Sequence, residues 1–462
     1  MKRDETAPTR RGFLTTTALV AAAGMPLGAG AATETAAPAA APTASARDAE
    51  PFWGPHQGGI LTALQAHTYF AAFDLVTAKR AEVVALLQAW TKAAARMTRG
   101  LPIEPFAQTE AAVPADLDST TTTTTTTTTS DDYGASSSGA AATTTVAAPD
   151  SGETAGLSAA RLTLTFGLGP GLFVKDGKDR YGLAKLRPEA FVDMPRFVGD
   201  QLVPEHTGGD LSVQACADDP QVAFHAVRQL ARLADTVASV RWTQAGFMPR
   251  FGAKETPRNL MGFKDGTNNP SVADAADMAA FVWVGDEGPT WMRGGSYLVV
   301  RRIRIALEHW DRTPVGFQEK TIGRHKASGA PLGKTHEFAP LDLAATGANG
   351  NLLTPENAHV RLAAAESNGG ARILRRPYSY NDGVNFTAER WPPWRQGMEY
   401  DAGLFFLAYQ RDPRTGFLKL YDRMSKFDMM NQFATHVGGG MFLCPGGVKD
   451  GEFIGQRLFE SA

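Results

Sequence analysis

The sequence predicts an α+β fold built on antiparallel strands. Short apolar strand patterns alternate with helical patterns, and the segments that separate them are too short and too unevenly spaced for a doubly wound parallel sheet. With 462 residues, the chain is long enough for one large domain or two medium ones. No internal repeat is visible, although the order of the elements is compatible with two similar halves.

The individual elements follow from local patterns. Aromatic and alternating apolar residues predict strands at 68–74, 162–168, 211–215, 296–305, 403–409 and 440–444. Apolar residues at helical spacing predict helices over 83–97, from Pro220 onward, near Ala306 and around 420–433. The 162–168 strand alternates with Thr and Gly, so we expect it to be half-buried. Asp219 precedes Pro220 as a helix N-cap, and Gly100 stands where a helix C-terminus is expected.

The N-terminus predicts export. Arg10 and Arg11 precede a moderately apolar run that ends in Ala29-Gly30-Ala31, which is typical of a twin-arginine signal peptide over 1–31. A disordered basic N-terminus is the alternative. The run is too short and too rich in Ala and Gly to predict a stable membrane anchor. Because this pathway carries folded proteins, often with a cofactor loaded, we expect a periplasmic or extracellular cofactor protein.

Two segments have compositions that cannot build a core. Residues 32–48 are mostly Ala, Thr and Pro, which predicts a flexible linker. The segment from about 107 to 160 contains ten consecutive threonines, Thr120 to Thr129, and predicts a disordered surface insertion.

Charge and cysteine content exclude several classes of protein. The formal net charge is −2 and the pI is about 6.5, so no global bias indicates a nucleic acid or anionic lipid partner. Cys216 and Cys444 are the only cysteines, and neither belongs to a CxxC or metal-spaced cluster. We interpret them as small buried side chains, with a mutual disulfide as the alternative.

One polar loop, Gly262 to Pro270, is the first candidate for a functional site. It places Asp265 near two glycines, which allow close backbone approach to a ligand and positive φ angles. A tight turn with a solvated aspartate is the alternative on spacing alone. A calcium loop is excluded, because an EF-hand counted from Asp265 needs Gly and Glu where Pro270 and Ala276 stand.

The nine histidines are not ranked by periodicity, and HExxH, GxSxG, paired-carboxylate and nucleotide-loop motifs are absent from the sequence. His359 differs in its surroundings, because the basic and partly apolar segment 372–378 follows it. Such a segment near an iron-ligating histidine is suited to an anionic macrocycle and a fixed cation. An arginine pair taken alone is more often a solvated surface.

Four separated motifs together resemble the dye-decolorizing peroxidases. They are the Gly262 to Pro270 loop, His-Val-Arg-Leu at 359–362, Ile-Leu-Arg-Arg-Pro-Tyr-Ser-Tyr at 373–380 and the twin-arginine leader. Further matches are His56-Gln57, the run 214–220 and Thr-Ile-Gly-Arg at 321–324. The resemblance covers about 51 to 455, and it is greatest to the exported deferrochelatase/peroxidase branch associated with bacterial ferrous-iron uptake.

The resemblance implies two ferredoxin-like halves, 49–250 and 251–462, with one haem b in the C-terminal half. It assigns His359 as the proximal iron ligand, Asp265 as the distal carboxylate and Arg375 as the distal arginine. Asp428 becomes the acceptor of the His359 ring N–H. Haem contacts are expected at Gly266, Thr267, Asn268, Ala364, Ala365 and Glu366. The last segment departs from the family pattern, which has a proline where Ala365-Glu366 stands.

The implied function is a haem peroxidase that uses hydrogen peroxide to oxidise dyes, phenolics or porphyrins. Asp265 would transfer protons and Arg375 would stabilise negative charge, which predicts an acidic optimum. The alternatives are a deferrochelatase that releases iron from an intact porphyrin, and a non-catalytic haem or iron carrier. Iron-uptake components and a second copy of the chain are expected partners. Electron transfer from bulky donors would use a surface aromatic, with candidates Trp242, Trp391, Trp394 and Tyr409.

Overall fold

Nine strands among the described residues form one antiparallel sheet that closes on itself. The computed structural model describes residues 48–104, 150–252, 255–388 and 396–462. The strands are β1 (His67–Leu75), β2 (Thr163–Leu168), β3 (Leu211–Ala217), β4 (Ala238–Phe247), β5 (Ser296–Ile305), β6 (Leu374–Arg375), β7 (Tyr378–Ala388), β8 (Gln396–Gln410) and β9 (Ala434–Cys444). Their order is β5-β9-β2-β3-β1-β4-β7-β8-β6, and an additional β5–β8 pairing closes the barrel.

The eight helices of the described residues are distributed unevenly along the chain. They are α1 (Arg80–Met97), α2 (Pro220–Leu233), α3 (Ala275–Phe281), α4 (Leu307–Asp311), α5 (Val315–Ile322), α6 (His359–Ala363), α7 (Phe417–Phe427) and α8 (Gln456–Glu460). Of the two long helices, α1 follows β1 and precedes β2 in the chain, and α2 connects β3 to β4. Their apolar faces pack on the outer surface of the barrel, where Trp90 and Leu230 are buried in the same cluster as Phe166.

The barrel consists of two four-stranded units joined at two short seams. One unit has the order β2-β3-β1-β4 and the other has the order β9-β5-β8-β7. At the seams, β2 meets β9 through the pair Leu168 and Leu443, and β4 meets β7 through the pair Phe247 and Ser379. Alternate residues fill the interior, where Phe70, Trp242 and Phe405 belong to one buried cluster.

Most elements lie where the sequence predicts them. Asp219 caps α2 by accepting hydrogen bonds from the N–H groups of Gln221 and Val222. All six residues of β2 are buried, so the prediction of a half-buried strand is wrong, because both of its faces are covered. The helix predicted around 420–433 ends at Phe427, because Asp428 accepts a hydrogen bond from Met430 N and a 3-10 turn follows.

Several predictions concern residues outside the described ranges. These are the signal peptide 1–31, the linker apart from Asp48, and the threonine-rich part of the insertion. Cys216 and Cys444 are both buried and free, which confirms them as small buried side chains. Within the described ranges, no helix combines the length and the apolar character that crossing a membrane requires.

Candidate active site

A cavity of about 430 Å³ lies on the outer face of the second four-stranded unit. Strands β5, β8 and β9 form its floor, with the apolar side chains of Ile303, Leu404 and Phe406 facing it. Helices α6 and α7 and the 263–268 loop line its other sides. The volume lies within the usual range for a site that encloses an organic ligand or cofactor.

His359 lines this cavity from the first position of α6. Its Nδ1 is 2.7 Å from Oδ2 of Asp428. Since an ionised carboxylate only accepts hydrogen bonds, Nδ1 carries the proton and the neutral ring keeps its lone pair on Nε2. In the described part of the chain, Nε2 has no hydrogen-bond partner. The arrangement leaves Nε2 available as a metal ligand.

Asp428 is held by its own backbone surroundings. It ends α7, and its Oδ1 accepts a hydrogen bond of 2.8 Å from Met430 N. Its side chain is only 3% exposed. Oδ1 is therefore bound to the 3-10 turn that follows α7, and Oδ2 is oriented toward His359.

The electrostatic balance at His359 raises the pKa of its imidazole. Burial by itself lowers the pKa of His359, but the charge of Asp428 and its hydrogen bond outweigh burial. The nearby Arg375 lowers the pKa and Asp265 raises it, both by smaller amounts. The net result is a pKa above the ordinary value of 6.5.

Asp265 and Arg375 form an ion pair in the same cavity. Nη1 of Arg375 donates to Oδ1 of Asp265 at 2.7 Å, and both residues line the cavity. The Asp265 side chain is 14% exposed and the Arg375 side chain is 26% exposed, so solvent screens the attraction between their charges only partly. The structure therefore brings together the four side chains that the resemblance assigned to catalysis and iron binding.

The backbone of the 263–268 loop explains the glycine beside Asp265. Gly266 has φ +127°, a conformation that other residues adopt only with strain. Asp265 N donates to Pro257 O at 2.9 Å, and Thr267 Oγ1 donates to Oε1 of Glu337 at 2.9 Å. Gly266, Thr267 and the exposed Asn268 all line the cavity, as the sequence predicts.

The second predicted contact segment is only partly at the cavity. Ala365 lines it, whereas the buried Ala364 and the exposed Glu366 do not. Helix α6 ends at Ala363 and a 3-10 turn begins at Ala365, so the chain changes direction at Ala364. Ala363 lines the cavity in their place, a contact that depends on the helix end and that the motif did not indicate.

Sequence reasoning also missed polar residues of the cavity wall. Glu337 lines the wall; burial raises its pKa, but hydrogen bonds, led by that from Lys264, hold the pKa below its ordinary value. Arg324 was noted only as part of a matching motif, and its guanidinium donates to the carbonyls of Gly329 and Glu337. Both belong to a segment without regular secondary structure, where periodicity gives no signal.

Two of the four aromatic candidates for surface electron transfer lie in the described ranges, and neither of them is at the surface. Trp242 is 4% exposed and Tyr409 is 0% exposed, because both point into the barrel. That prediction is wrong for these two residues. Trp391 and Trp394 lie outside the described ranges.

Family models match nearly all of the described chain. Residues 57–248 match the N-terminal model and residues 256–449 match the C-terminal model of the Dyp-type peroxidases. The chain belongs to the Dyp-type peroxidase family. It is accordingly a haem-dependent peroxidase, and the cavity with His359 is the candidate haem site.

Individual relatives agree with this assignment. The chain is 41% identical to the dye-decolorizing peroxidase of Thermobifida fusca over 66% of this chain and 69% of the relative. It is 33% identical to the deferrochelatase of Escherichia coli K12 over 98% of this chain and 97% of the relative. The solved structure of ferric DtpA from Streptomyces lividans has a TM-score of 0.72 at 36% identity, covering 89% of this chain and 98% of that one.

Proposed function

We propose that this protein uses one haem b per chain and hydrogen peroxide to oxidise organic donors such as dyes, phenolics or porphyrins. The observation that carries the proposal is the convergence of two polar pairs on one cavity: the His359–Asp428 hydrogen bond and the Asp265–Arg375 ion pair. A carrier has no use for the second pair, which favours catalysis over carriage.

The residues present fit a haem better than a bare metal ion. The described residues contain no group of three or more His, Cys, Asp or Glu side chains that could hold a metal. A single histidine with an available Nε2 suits an iron whose other ligands come from a porphyrin. The apolar floor formed by Ile303, Leu404 and Phe406 suits the face of a macrocycle.

His359 and Asp428 would act on the proximal side. His359 Nε2 would hold the iron, while Asp428 keeps the proton on Nδ1 and orients the ring. A histidine that donates to a buried carboxylate is a stronger electron donor to its metal than one that donates to a carbonyl. When bound, the haem would supply the redox-active iron that the side chains of this chain lack.

Asp265 and Arg375 would act on hydrogen peroxide. Cleavage of its O–O bond requires a proton to leave one oxygen and a proton to arrive on the departing oxygen. The Asp265 carboxylate is placed to move that proton. The permanently charged Arg375 is placed to stabilise negative charge on the departing oxygen and to orient Asp265 through their hydrogen bond.

Substitution of the distal pair tests the proposal. We expect Asp265→Ala and Arg375→Leu to keep the haem absorbance band but to slow the reaction with hydrogen peroxide by about 10²–10⁴-fold, because acid–base or charge stabilisation is lost. Stopped-flow absorbance measures the rate.

Asp193→Ala is the matched control, since it breaks another 2.7 Å Arg–Asp pair, with Arg187, in which the aspartate side chain is 83% exposed. It should react at the wild-type rate. Unchanged rates in both distal variants would remove Asp265 and Arg375 from the mechanism.

A second candidate function is release of iron from haem with the porphyrin left intact. It is favoured by the similarity to deferrochelatases over almost the whole chain. Anaerobic incubation of the protein with haem, without peroxide, separates the two activities. Free protoporphyrin formed by wild-type protein would support iron release, and its absence would leave peroxidation alone.

We also propose that the two four-stranded units are ferredoxin-like halves, one within 49–250 and one within 251–462. Each half follows the order β-α-β-β-α-β, if the short helices after β5 are taken as one crossover and β6 is set aside as a short strand that pairs with β8 ahead of β7. In both halves, the fourth strand pairs with the first, the first with the third and the third with the second.

Export by the twin-arginine pathway, association with iron-uptake components and assembly into a homo-oligomer complete the proposal. The paired arginines at 10 and 11 support export, and the resemblance to the exported deferrochelatase/peroxidase branch supports the link to iron uptake. A hairpin surface on β7 and β8 with exposed Val384, Phe386 and Met398 supports assembly.

A further inference from the structure

The side-chain amide of Asn269 binds both main-chain groups of Arg375. Its Nδ2 donates to Arg375 O at 2.7 Å, and its Oδ1 accepts from Arg375 N at 3.0 Å. An amide side chain that binds both the N–H and the C=O of one residue makes the two hydrogen bonds that a neighbouring strand would otherwise make. Asn269 therefore fixes the backbone of Arg375 in two directions.

Arg375 needs such a partner because its strand has only one neighbour. The two-residue strand β6 pairs with β8, where Arg375 lies opposite Ala408. The next residue, Arg376, donates its N–H to Leu407 O at 2.8 Å. The N–H and C=O of Arg375 point to the other side, where Asn269 is their partner among the described residues. Without Asn269, both groups would be left without a protein partner.

Asn269 belongs to the same loop as Asp265. Its own N–H donates to Gly266 O at 2.9 Å, so the turn that places Asp265 also places the amide. The Asp265–Arg375 ion pair is therefore bridged twice, once by the side chains and once through Asn269 and the backbone of Arg375. A long arginine side chain reaches its target reproducibly only if its backbone is fixed.

We propose that Asn269 is a positioning residue that holds Arg375 in register with Asp265 for the reaction with hydrogen peroxide. The inference rests on the proposed peroxidase function. Asn269 acts through Arg375, since it forms no bond to the guanidinium or to Asp265 among the described contacts. A displacement of about 1 Å at a reacting group is enough to cost about 10²-fold in rate.

The backbone part of the proposal is tested by amide hydrogen exchange in the purified, haem-loaded protein. We expect Asn269→Ala to increase the exchange rate of the Arg375 amide about tenfold or more, because its acceptor is removed. Asn269→Asp keeps an acceptor for that amide, so the exchange rate should remain near wild type. Asn349→Ala is the control, because Asn349 is exposed and binds only a local backbone N–H, that of Asn351.

The functional part is tested by the rate of reaction with hydrogen peroxide. We expect Asn269→Ala to slow it about 10–10²-fold with an unchanged haem band and an unchanged KM for the organic donor. Asn269→Asp, which loses only the bond to Arg375 O, should slow it less. Adding Asn269→Ala to Arg375→Leu should cause no further loss, because a residue that acts through Arg375 has nothing left to position.

The outcomes separate this inference from the proposed function. Wild-type exchange at Arg375 in Asn269→Ala, or additive losses in the double variant, would overturn the positioning role. A wild-type protein that does not react with peroxide would instead overturn the peroxidase function, while the exchange experiment would still decide whether Asn269 holds Arg375.

Discussion

His359 and His436 both line the cavity, but their surroundings are opposite. His359 donates to the buried Asp428, and its pKa is raised because that carboxylate outweighs the cost of burial. His436 is stacked on Tyr421 with ring centroids 4.4 Å apart, and its Nδ1 is buried without a hydrogen-bond partner in the described chain. Burial, and then the charge of Arg301, place its pKa well below the ordinary value.

The difference indicates which histidine of this cavity is better suited to bind a metal. A fixed carboxylate behind the ring selects the tautomer, orients the ring and strengthens the donor nitrogen. His436 has none of these supports, because the charge that acts on it is that of a cation, Arg301, which is paired with Asp200. His359 is therefore the expected ligand, and His436 is expected to remain a neutral wall of the cavity.

The largest expected effect separates the two histidines directly. His359→Ala should abolish the ferric haem spectrum of the wild type, because it removes the proposed iron ligand. His436→Ala should keep a haem band at the wild-type position. Reconstitution with haem followed by visible absorbance measures both. An unchanged ferric spectrum in His359→Ala, or loss of the band only in His436→Ala, would reverse the assignment.

A smaller effect is expected when the carboxylate behind His359 is neutralised. Asp428→Asn preserves shape and still accepts from Nδ1, but it removes the charge that supports the ring. We expect haem affinity to fall about 10–10²-fold, the range found for loss of an outer partner of a metal-ligating histidine. Haem titration measures the affinity. The control is Asp422→Asn, an exposed residue of α7 that pairs with Lys426. Equal affinities for all three proteins would mean that Asp428 does not support the ligand.

The residues around His359 also show which parts of the candidate site the sequence alone predicts. Asp265, Arg375 and His359 lie in short motifs whose residues share one local structure, so the motifs identify them. Asp428 is 69 residues from His359, and only the family resemblance assigned it, because their contact forms where α6 and α7 meet at the cavity. Whether Ala364 and Glu366 line the cavity depends on where α6 ends, and Asn269 differs from its neighbour Asn268 only in the direction of its side chain. These features arise from tertiary packing, which no local pattern encodes.

The smallest expected effect is the pH dependence of stability contributed by His436. Its pKa is well below 6.5 in the folded protein and returns toward 6.5 in the unfolded chain. Between these two values only the unfolded chain binds the proton, so the free energy of unfolding decreases as the pH falls below about 6.5, by at most about 1.4 kcal/mol per pH unit. The contribution of His359 to the free energy of unfolding has the opposite pH dependence, since its raised pKa contributes stability below pH 6.5 that is lost as the pH rises through the folded value.

In the haem-free protein, His436→Phe should therefore lose less stability than the wild type between about pH 7 and pH 5.5, as measured by urea unfolding. His336→Gln, at an exposed position, should keep the wild-type slope. A wild-type slope in His436→Phe would show that His436 takes up its proton in the folded state, and the contrast with His359 would then fail.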